Sequence, residues 1–268
     1  MKKYCIERDH PDHKLLLSAI RKAGKCAQER FQSSQKVWRK SKSHPVCEAD
    51  IETNVILRDI LMGERPSYGW LSEESEDNAE RLDRQRIWIV DPIDGTNSYL
   101  NGIPEFAVSV ALIENGEALA GAVFNPAQDE IFDATKGGGA YLNNKQISVT
   151  NRSTFSNLRM LASRSEYDES GWPECFNPNY VRAMSSIAYK LALVAAGRFD
   201  ATASAWPKAD WDICAGYLLI SEAGGTITSI GGKNMTFNRK RPIHPTCLAS
   251  NGLLHKELIA KLRVWAEK

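Results

Sequence analysis

Two apolar runs, Phe106 to Ile113 and Ala118 to Phe124, are separated only by Glu114-Asn-Gly-Glu117. Asn-Gly supplies the positive φ that a tight reversal needs, so the segment predicts a β-hairpin. Further short strands are expected at Arg86 to Val90, Glu130 to Ala134, Phe199 to Ser204, Thr226 to Ile230 and Thr246 to Ala249. Between and around them lie helical patterns. Leu16, Ile20, Ala23, Ala27 and Phe31 recur at three- and four-residue spacing from Lys14 to Phe31, the signature of an amphipathic helix. Others are expected from Glu48 to Leu61, Ser186 to Ala196 (stopped by Gly197), Asp212 to Ala223 (stopped by Gly224-Gly225) and Leu254 to Trp265. Helices alternating with hairpin-linked strands make the fold class mixed α/β with substantial antiparallel sheet. The basic stretch Lys36 to Pro45 lacks periodicity and is expected to be a solvated loop, and Gly137-Gly-Gly139 a turn. A composition shift at Ser163 to Pro178 is the one candidate boundary, dividing the chain into sub-domains 1–178 and 179–268.

The 268 residues carry 34 Lys+Arg against 33 Asp+Glu, with 43% hydrophobic residues. That apolar content excludes disorder as the main state. The balanced charge argues against a protein that holds nucleic acid by its phosphates, so nucleic acid is not expected as a partner. The N-terminal MKKYCIERDHPDH has no apolar signal core, and no uninterrupted apolar run approaches the roughly 20 residues of a membrane span. A cytoplasmic protein with no membrane partner is expected. The six cysteines (Cys5, Cys26, Cys47, Cys175, Cys214, Cys247) form no C-x-x-C pair and are expected to be free thiols filling core space. No H-E-x-x-H, G-x-S-x-G or G-x-x-x-x-G-K-[ST] signature is present. His10 and His13 precede the first expected helix and are assigned to a solvated turn.

The out-of-place residues are acids. The apolar strand at Trp88 delivers Asp91 and Asp94 three residues apart, with Pro92 stiffening the turn and Gly95 following. Converging carboxylates repel unless a cation sits between them, and oxygen ligands select hard ions such as Mg²⁺. A turn capped by its own aspartates accounts for the motif equally well. Glu73-Glu74 after an aromatic stretch, and Asp212 opening a helix, each have a bland explanation too, as a solvated pair and a helix cap. The combination favours a metal site.

With D-P-I-D-G-T at Asp91 to Thr96, W-D at Trp211-Asp212, Glu73-Glu74 and the Asp50 helix, the chain resembles the inositol monophosphatase family over most of its length. The resemblance implies a layered α-β-α-β-α sandwich and lithium-sensitive, Mg²⁺-dependent hydrolysis of a phosphomonoester by a homodimer. Two or three Mg²⁺ ions are implied. Glu73, Asp91 and the Ile93 carbonyl would hold one, and Asp91, Asp94 and Asp212 a second; a third would share Glu73. Asp50 and Thr96 would orient the attacking water, making Asp50, Glu73 and Thr96 the catalytic set. Asp94, Gly95, Thr96, Ser186, Lys190 and Asp212 would contact substrate, with Asp212 supplied from the C-terminal sub-domain. In-line displacement of this kind needs no phospho-enzyme.

The pattern departs from the family at the substrate end. Inositol-specific members carry a glutamate seven residues before the W-D aspartate, where this chain has Ala205. Ser185-Ser-Ile-Ala-Tyr-Lys190 resembles the S-S-L-K of relatives that cleave 3′-phosphoadenosine 5′-phosphate, and Lys190 would there meet a second phosphate unless it is a surface lysine. The segment Asn97-Ser-Tyr99 instead follows the inositol type, as does Gly102 to Ser109. Cys47 replaces a usual threonine, a small change. Inositol monophosphate is the first expected substrate and the bisphosphate nucleotide the alternative. A third reading, a regulatory binding protein retaining the fold as in the extragenic suppressor relatives, rests on the basic Lys36 to Lys42 segment.

Overall fold

A computed structural model describes residues 6–41, 44–169 and 172–266. Near the N-terminus come helix α1 (Pro11–Arg30), a small antiparallel hairpin β1 (Val37–Ser41) and β2 (His44–Cys47), and helix α2 (Glu48–Glu64). A seven-stranded sheet follows in unbroken chain order: β3 (Gly69–Ser72), β4 (Arg86–Asp94), β5 (Ala107–Glu114), β6 (Glu117–Asn125), β7 (Glu130–Thr135), β8 (Gly139–Leu142) and β9 (Lys145–Ile147). Only β3 and β4 are parallel within it. Helix α3 (Thr96–Leu100) interrupts the run between β4 and β5. The expected hairpin is β5–β6, with Asn115 at φ 52° and Gly116 at φ 81°, the left-handed pair that matches the strands' twist.

Alternation along the strands decides what covers each face. Trp88 and Val90 of β4 and Val108, Val110 and Leu112 of β5 pack with Leu16 and Ile20 of α1 and Leu57 and Leu61 of α2. The intervening Ile87, Ile89, Ala111 and Ile113 face α5 (Ile187–Ala195) and α6 (Asp210–Glu222). Those two helices form the middle layer, and all nine residues of α5 are buried, as expected for a helix with apolar neighbours all round. Close packing there depends on absent side chains: a Cβ on Gly216 of α6 would lie 2.5 Å from Leu191 of α5.

Beyond the middle layer lies a five-stranded sheet ordered β11 (Val181–Met184), β10 (Met160–Ser163), β12 (Ala201–Ser204), β16 (Cys247–Ser250) and β14 (Thr226–Thr228). Its outer face, through Met160, Ala201, Ala203 and Leu248, is covered by Leu258, Leu262 and Trp265 of α7 (His255–Ala266). The order is the expected α-β-α-β-α sandwich. Helix α4 (Arg164–Glu169) follows β10, and a two-stranded ribbon of β13 (Lys208–Ala209) and β15 (Ile243–His244) flanks α6. Among the described residues no helix is long and apolar enough to cross a membrane.

Several expectations need correction. The stretch Lys36 to Pro45 is largely the β1–β2 hairpin, pairing Trp38 with Val46; its charges masked strand formers, and residues 42 and 43 lie outside the described residues. His13 lies within α1 and is buried, 3.2 Å from Asp133 of β7, while His10 caps that helix by accepting the Asp12 N–H. Their helix starts at Pro11 because proline suits the first helical turn. Cys47, Cys214 and Cys247 are buried free thiols, but Cys26 is half-buried and Cys175 exposed; Cys5 lies outside the described residues.

Candidate active site

The site is built at the end of β4. Pairing with β5 is regular to Asp91 opposite Ser109 and resumes at Asp94 opposite Ala107, with the irregularity at Pro92 and Ile93. A bulge is where a central strand tolerates proline, and it re-aims the side chains that follow. Asp91 and Asp94 therefore converge instead of alternating. Asp212, on the first turn of α6, joins them, and the three contribute carboxylate oxygens that all lie within 4.8 Å of one another. Ser109 Oγ donates to the Trp211 carbonyl at 3.3 Å, tying α6 to β5 beside the cluster.

Each acid is held differently. Asp94 Oδ2 accepts from Ser186 Oγ and from the Ala188 N–H, both at 2.6 Å. Ser186 is the N-cap of α5 and accepts the Tyr189 N–H at 3.0 Å, so the positive end of the helix faces the carboxylate. Asp212 Oδ2 accepts the Ala209 N–H at 2.8 Å. Asp91 is 1% exposed and its Oδ1 has no hydrogen-bond partner. A buried, unpaired carboxylate oxygen costs about 1–3 kcal/mol or more unless something else satisfies it.

Electrostatics point the same way. Burial raises the Asp91 carboxyl well above the usual carboxylate range, and Glu73, Asp94 and Asp212 add to the shift. Asp212 is pushed up to about 8 by burial, then by Asp94 and Glu73. Asp94 is also raised by burial, against the opposing donors Ser186 and Ala188. The Glu73 N–H donates to the Val90 carbonyl at 3.2 Å, which fixes its backbone beside β4. An orphaned oxygen among three converging carboxylates, with a fourth acid acting on them, fits a hard divalent cation and fits a self-capped turn poorly.

Behind the cluster, Asp50 sits in the first turn of α2. Its Oδ2 accepts the Cys47 N–H at 2.8 Å and the Cys47 thiol at 2.9 Å, and its Oδ1 faces Thr96 Oγ1 at 3.1 Å. Burial pushes Asp50 up to about 6 and Cys47 up to about 12, so the thiol stays protonated and donates. Thr96 Oγ1 is also 3.1 Å from the Ile93 carbonyl. One hydroxyl proton serves two acceptors: when the Ile93 carbonyl is engaged elsewhere, the proton goes to Asp50.

Gly95 links these parts. Its φ is +94°, and a Cβ there would lie 2.9 Å from the Glu105 carbonyl. Gly95→Ala is expected to destabilise the protein by about 1–3 kcal/mol through left-handed strain and that clash, measured as a lower denaturant midpoint at unchanged slope.

Of the residues expected at substrate, two have hydrogen-bond partners within the protein. Ser186 gives its hydroxyl proton to Asp94. Lys190 is fully buried, with Nζ donating to the Met184 carbonyl at 3.2 Å; it is not a surface lysine, because α5 is enclosed on all sides. The Gly137 and Gly139 N–H groups hold the Glu222 carboxylate at 2.8 and 2.9 Å, in keeping with a turn. Sequence reasoning missed the Ala188 amide, which no local pattern marks as facing Asp94.

The profile of the inositol monophosphatase family matches residues 10–266. An inositol-1-monophosphatase of Rhizobium meliloti is 39% identical over 238 residues, 81% of this chain and 85% of that protein. The Nus factor SuhB of Xylella fastidiosa is 32% identical over 83% of each chain. Among solved structures, the extragenic suppressor protein suhB from Bartonella henselae superposes with a TM-score of 0.79 at 31% identity, covering 93% of this chain and 97% of that one. An IMPase of Thermotoga maritima gives 0.82 at 29% identity, covering 96% and 97%.

Proposed function

The chain belongs to the inositol monophosphatase family and is a phosphoric monoester hydrolase; we propose that it acts on a small anionic substrate with Mg²⁺, inositol monophosphate first. The observation that carries the metal requirement is the unpartnered Asp91 Oδ1 inside the carboxylate cluster. Glu73, Asp91 and the Ile93 carbonyl would hold one ion and Asp91, Asp94 and Asp212 another, with a third near Glu73. Bound Mg²⁺ would neutralise phosphate oxygens, lower the pKa of the attacking water and stabilise the leaving alkoxide.

The protein's own groups do the positioning. Ser186 and Ala188 fix the rotamer of Asp94, and the Ala209 N–H fixes Asp212. Thr96 donates its proton to Asp50 and thereby turns a hydroxyl lone pair toward the water, while Cys47 keeps Asp50 in place. The Gly95 and Thr96 amides, opening α3, face the phosphate in this reading.

The purified protein is expected to release phosphate from inositol 1-phosphate only with Mg²⁺ present, and less so with millimolar lithium. No release from any sugar, inositol or nucleotide monoester would overturn the reading. The alternative substrate, 3′-phosphoadenosine 5′-phosphate, is supported by Ala205, which offers no carboxylate to a polyol hydroxyl. A regulatory binding role has two supports, the 32% identical Nus factor and the β1–β2 hairpin, where Val37 and Trp38 are half exposed. Survival of a cellular phenotype in a hydrolysis-dead variant would favour that role. The proposal includes a cytoplasmic homodimer, checked by sedimentation at twice the 29.9 kDa chain mass.

A further inference from the structure

Away from the carboxylate cluster, past the other end of α5, lies a polar cavity of about 460 Å³, within the size range of small-metabolite pockets. One wall is the connection from β9 to β10, through Thr150, Arg152 and Arg159; the other is Gly197 and Asp200, between α5 and β12. Gly197, at φ +67°, lets the walls approach, since a Cβ there would lie 2.8 Å from the Ser148 carbonyl. Ser186 at the start of α5 donates to Asp94 and Gly197 follows its end, so the helix separates the two sites by about 14 Å. None of the clustered acids lines the cavity.

Buried Asp200 organises these walls. Its Oδ1 accepts from Thr150 Oγ1 at 2.7 Å, and its Oδ2 accepts from Arg152 Nε at 3.0 Å and from the Arg159 N–H at 2.8 Å. Arg159 Nε stands 3.5 Å from that oxygen without a hydrogen bond, and this buried nitrogen has no other partner. Arg152 Nη1 donates to the Ser156 carbonyl at 3.1 Å and Arg159 Nη2 to the Gly197 carbonyl at 3.3 Å. Arg152 Nη2 and Arg159 Nη1 are left without a protein acceptor among the described residues. Two guanidinium groups share one carboxylate, so the cavity carries a surplus positive charge. One arginine would have sufficed to neutralise Asp200.

We propose that this cavity binds a phosphate group, free or carried by a small polar metabolite, through the unpaired N–H groups of Arg152 and Arg159. Planar guanidinium edges match phosphate oxygens in both geometry and charge. Val149 and Ala196 are the only aliphatic side chains in the lining, so the body of such a ligand is polar. Asp200 is the positioning residue, fixing both arginines while leaving one charge in surplus. The site uses no metal and does not depend on the phosphatase reading.

Calorimetric titration of the full chain in chelator tests this, because metal-free acids repel an anion from the carboxylate cluster. The probes are inorganic phosphate, glucose 6-phosphate and glucose. At least one phosphate-bearing probe is expected to bind with one-to-one stoichiometry at millimolar concentration or below, and glucose not at all. Tighter binding of glucose 6-phosphate identifies a metabolite as the source, and equal or tighter binding of inorganic phosphate identifies the free ion. Arg152→Gln and Arg159→Gln are each expected to weaken binding about tenfold, the loss of one charge-assisted hydrogen bond. Arg152→Lys, which keeps the charge without the fork, weakens it less. Circular dichroism identifies the variants that remain folded. Independently of any variant, the wild-type amide resonances of Thr150, Arg152 and Gly197 are expected to shift with the bound probe while those of Asp94 and Asp212 stay in place. Absence of binding by both phosphate probes, equal binding of glucose, shifts confined to other residues, or unchanged affinity in a folded Gln variant of either arginine overturns the proposal.

Discussion

Asp91→Asn is expected to lower Mg²⁺-dependent phosphate release by at least about 1000-fold while raising the thermal midpoint of the metal-free protein. Metal-assisted charge stabilisation supplies several kcal/mol, and each 1.4 kcal/mol is a factor of ten in rate. Asp91 is the most deeply buried of the clustered acids and has an oxygen with no protein partner, so in the proposed site its negative charge would be central to holding cation. Without cation the same charge is a liability beside Glu73, Asp94 and Asp212. Removing it relieves that repulsion, which at functional sites is typically worth about 0.5–2 kcal/mol and, for a chain of this size, about 2–4 °C per kcal/mol. Calorimetry in chelator, paired with a phosphate-release assay, measures both halves. A lower metal-free midpoint would mean that Asp91 stabilises the turn as an ordinary cap, and retained hydrolysis would remove it from the metal site.

Metal binding and pH should be linked with a defined sign. Asp50 at about 6, Asp212 at about 8 and Asp91 well above its ordinary range all bind protons in the folded state that the unfolded chain releases near pH 4. Groups raised on folding make the native state bind more protons, so this contribution to stability falls as pH rises from about 4 to 8 in the absence of metal. Asp77 and Asp200, lowered chiefly by Arg81 and by the donors around Asp200 respectively, act oppositely, and their stabilisation is lost only in stronger acid. Mg²⁺ must displace the extra protons. At pH 8, saturation to 100 times Kd should add about 2.7 kcal/mol, whereas at pH 5 the same concentration should stabilise far less. Titration calorimetry in buffers of different ionisation enthalpy should record proton release on binding, more per ion at pH 7 than at pH 8.5. Proton uptake, or stabilisation greater at pH 5 than at pH 8, would contradict the linkage.

Much of the site was legible because its strongest signals are local. Asp91 and Asp94 share one strand with Pro92, and Gly95 follows it directly, so the motif could be read within a few residues. Asp50 and Thr96, 46 residues apart, were paired only through the family resemblance; their 3.1 Å contact follows from how α2 meets the turn after β4. The Lys36 to Pro45 stretch misled because two short strands pairing chiefly with each other need no apolar face, so hydrophobic periodicity had nothing to report. Lys190 misled for the opposite reason: one lysine in an otherwise apolar helix reads as a solvent-facing position, and only the second sheet closing over α5 shows otherwise.

The sequence by itself determined the two alternating strand faces, the β5–β6 reversal, the helices with apolar stripes and the acids carried at the ends of β4 and β3 and the start of α6. Each follows from interactions among residues a few positions apart, where backbone geometry dictates which side chains are neighbours. Tertiary structure alone decided that Ser186 and Ala188 brace Asp94 across more than 90 residues, that Asp91 keeps one oxygen unpaired, and that buried Glu166 pins Ser204 and the Trp206 amide across the second sheet. Burial and long-range partners set those outcomes, and both are properties of packed layers that no local pattern encodes.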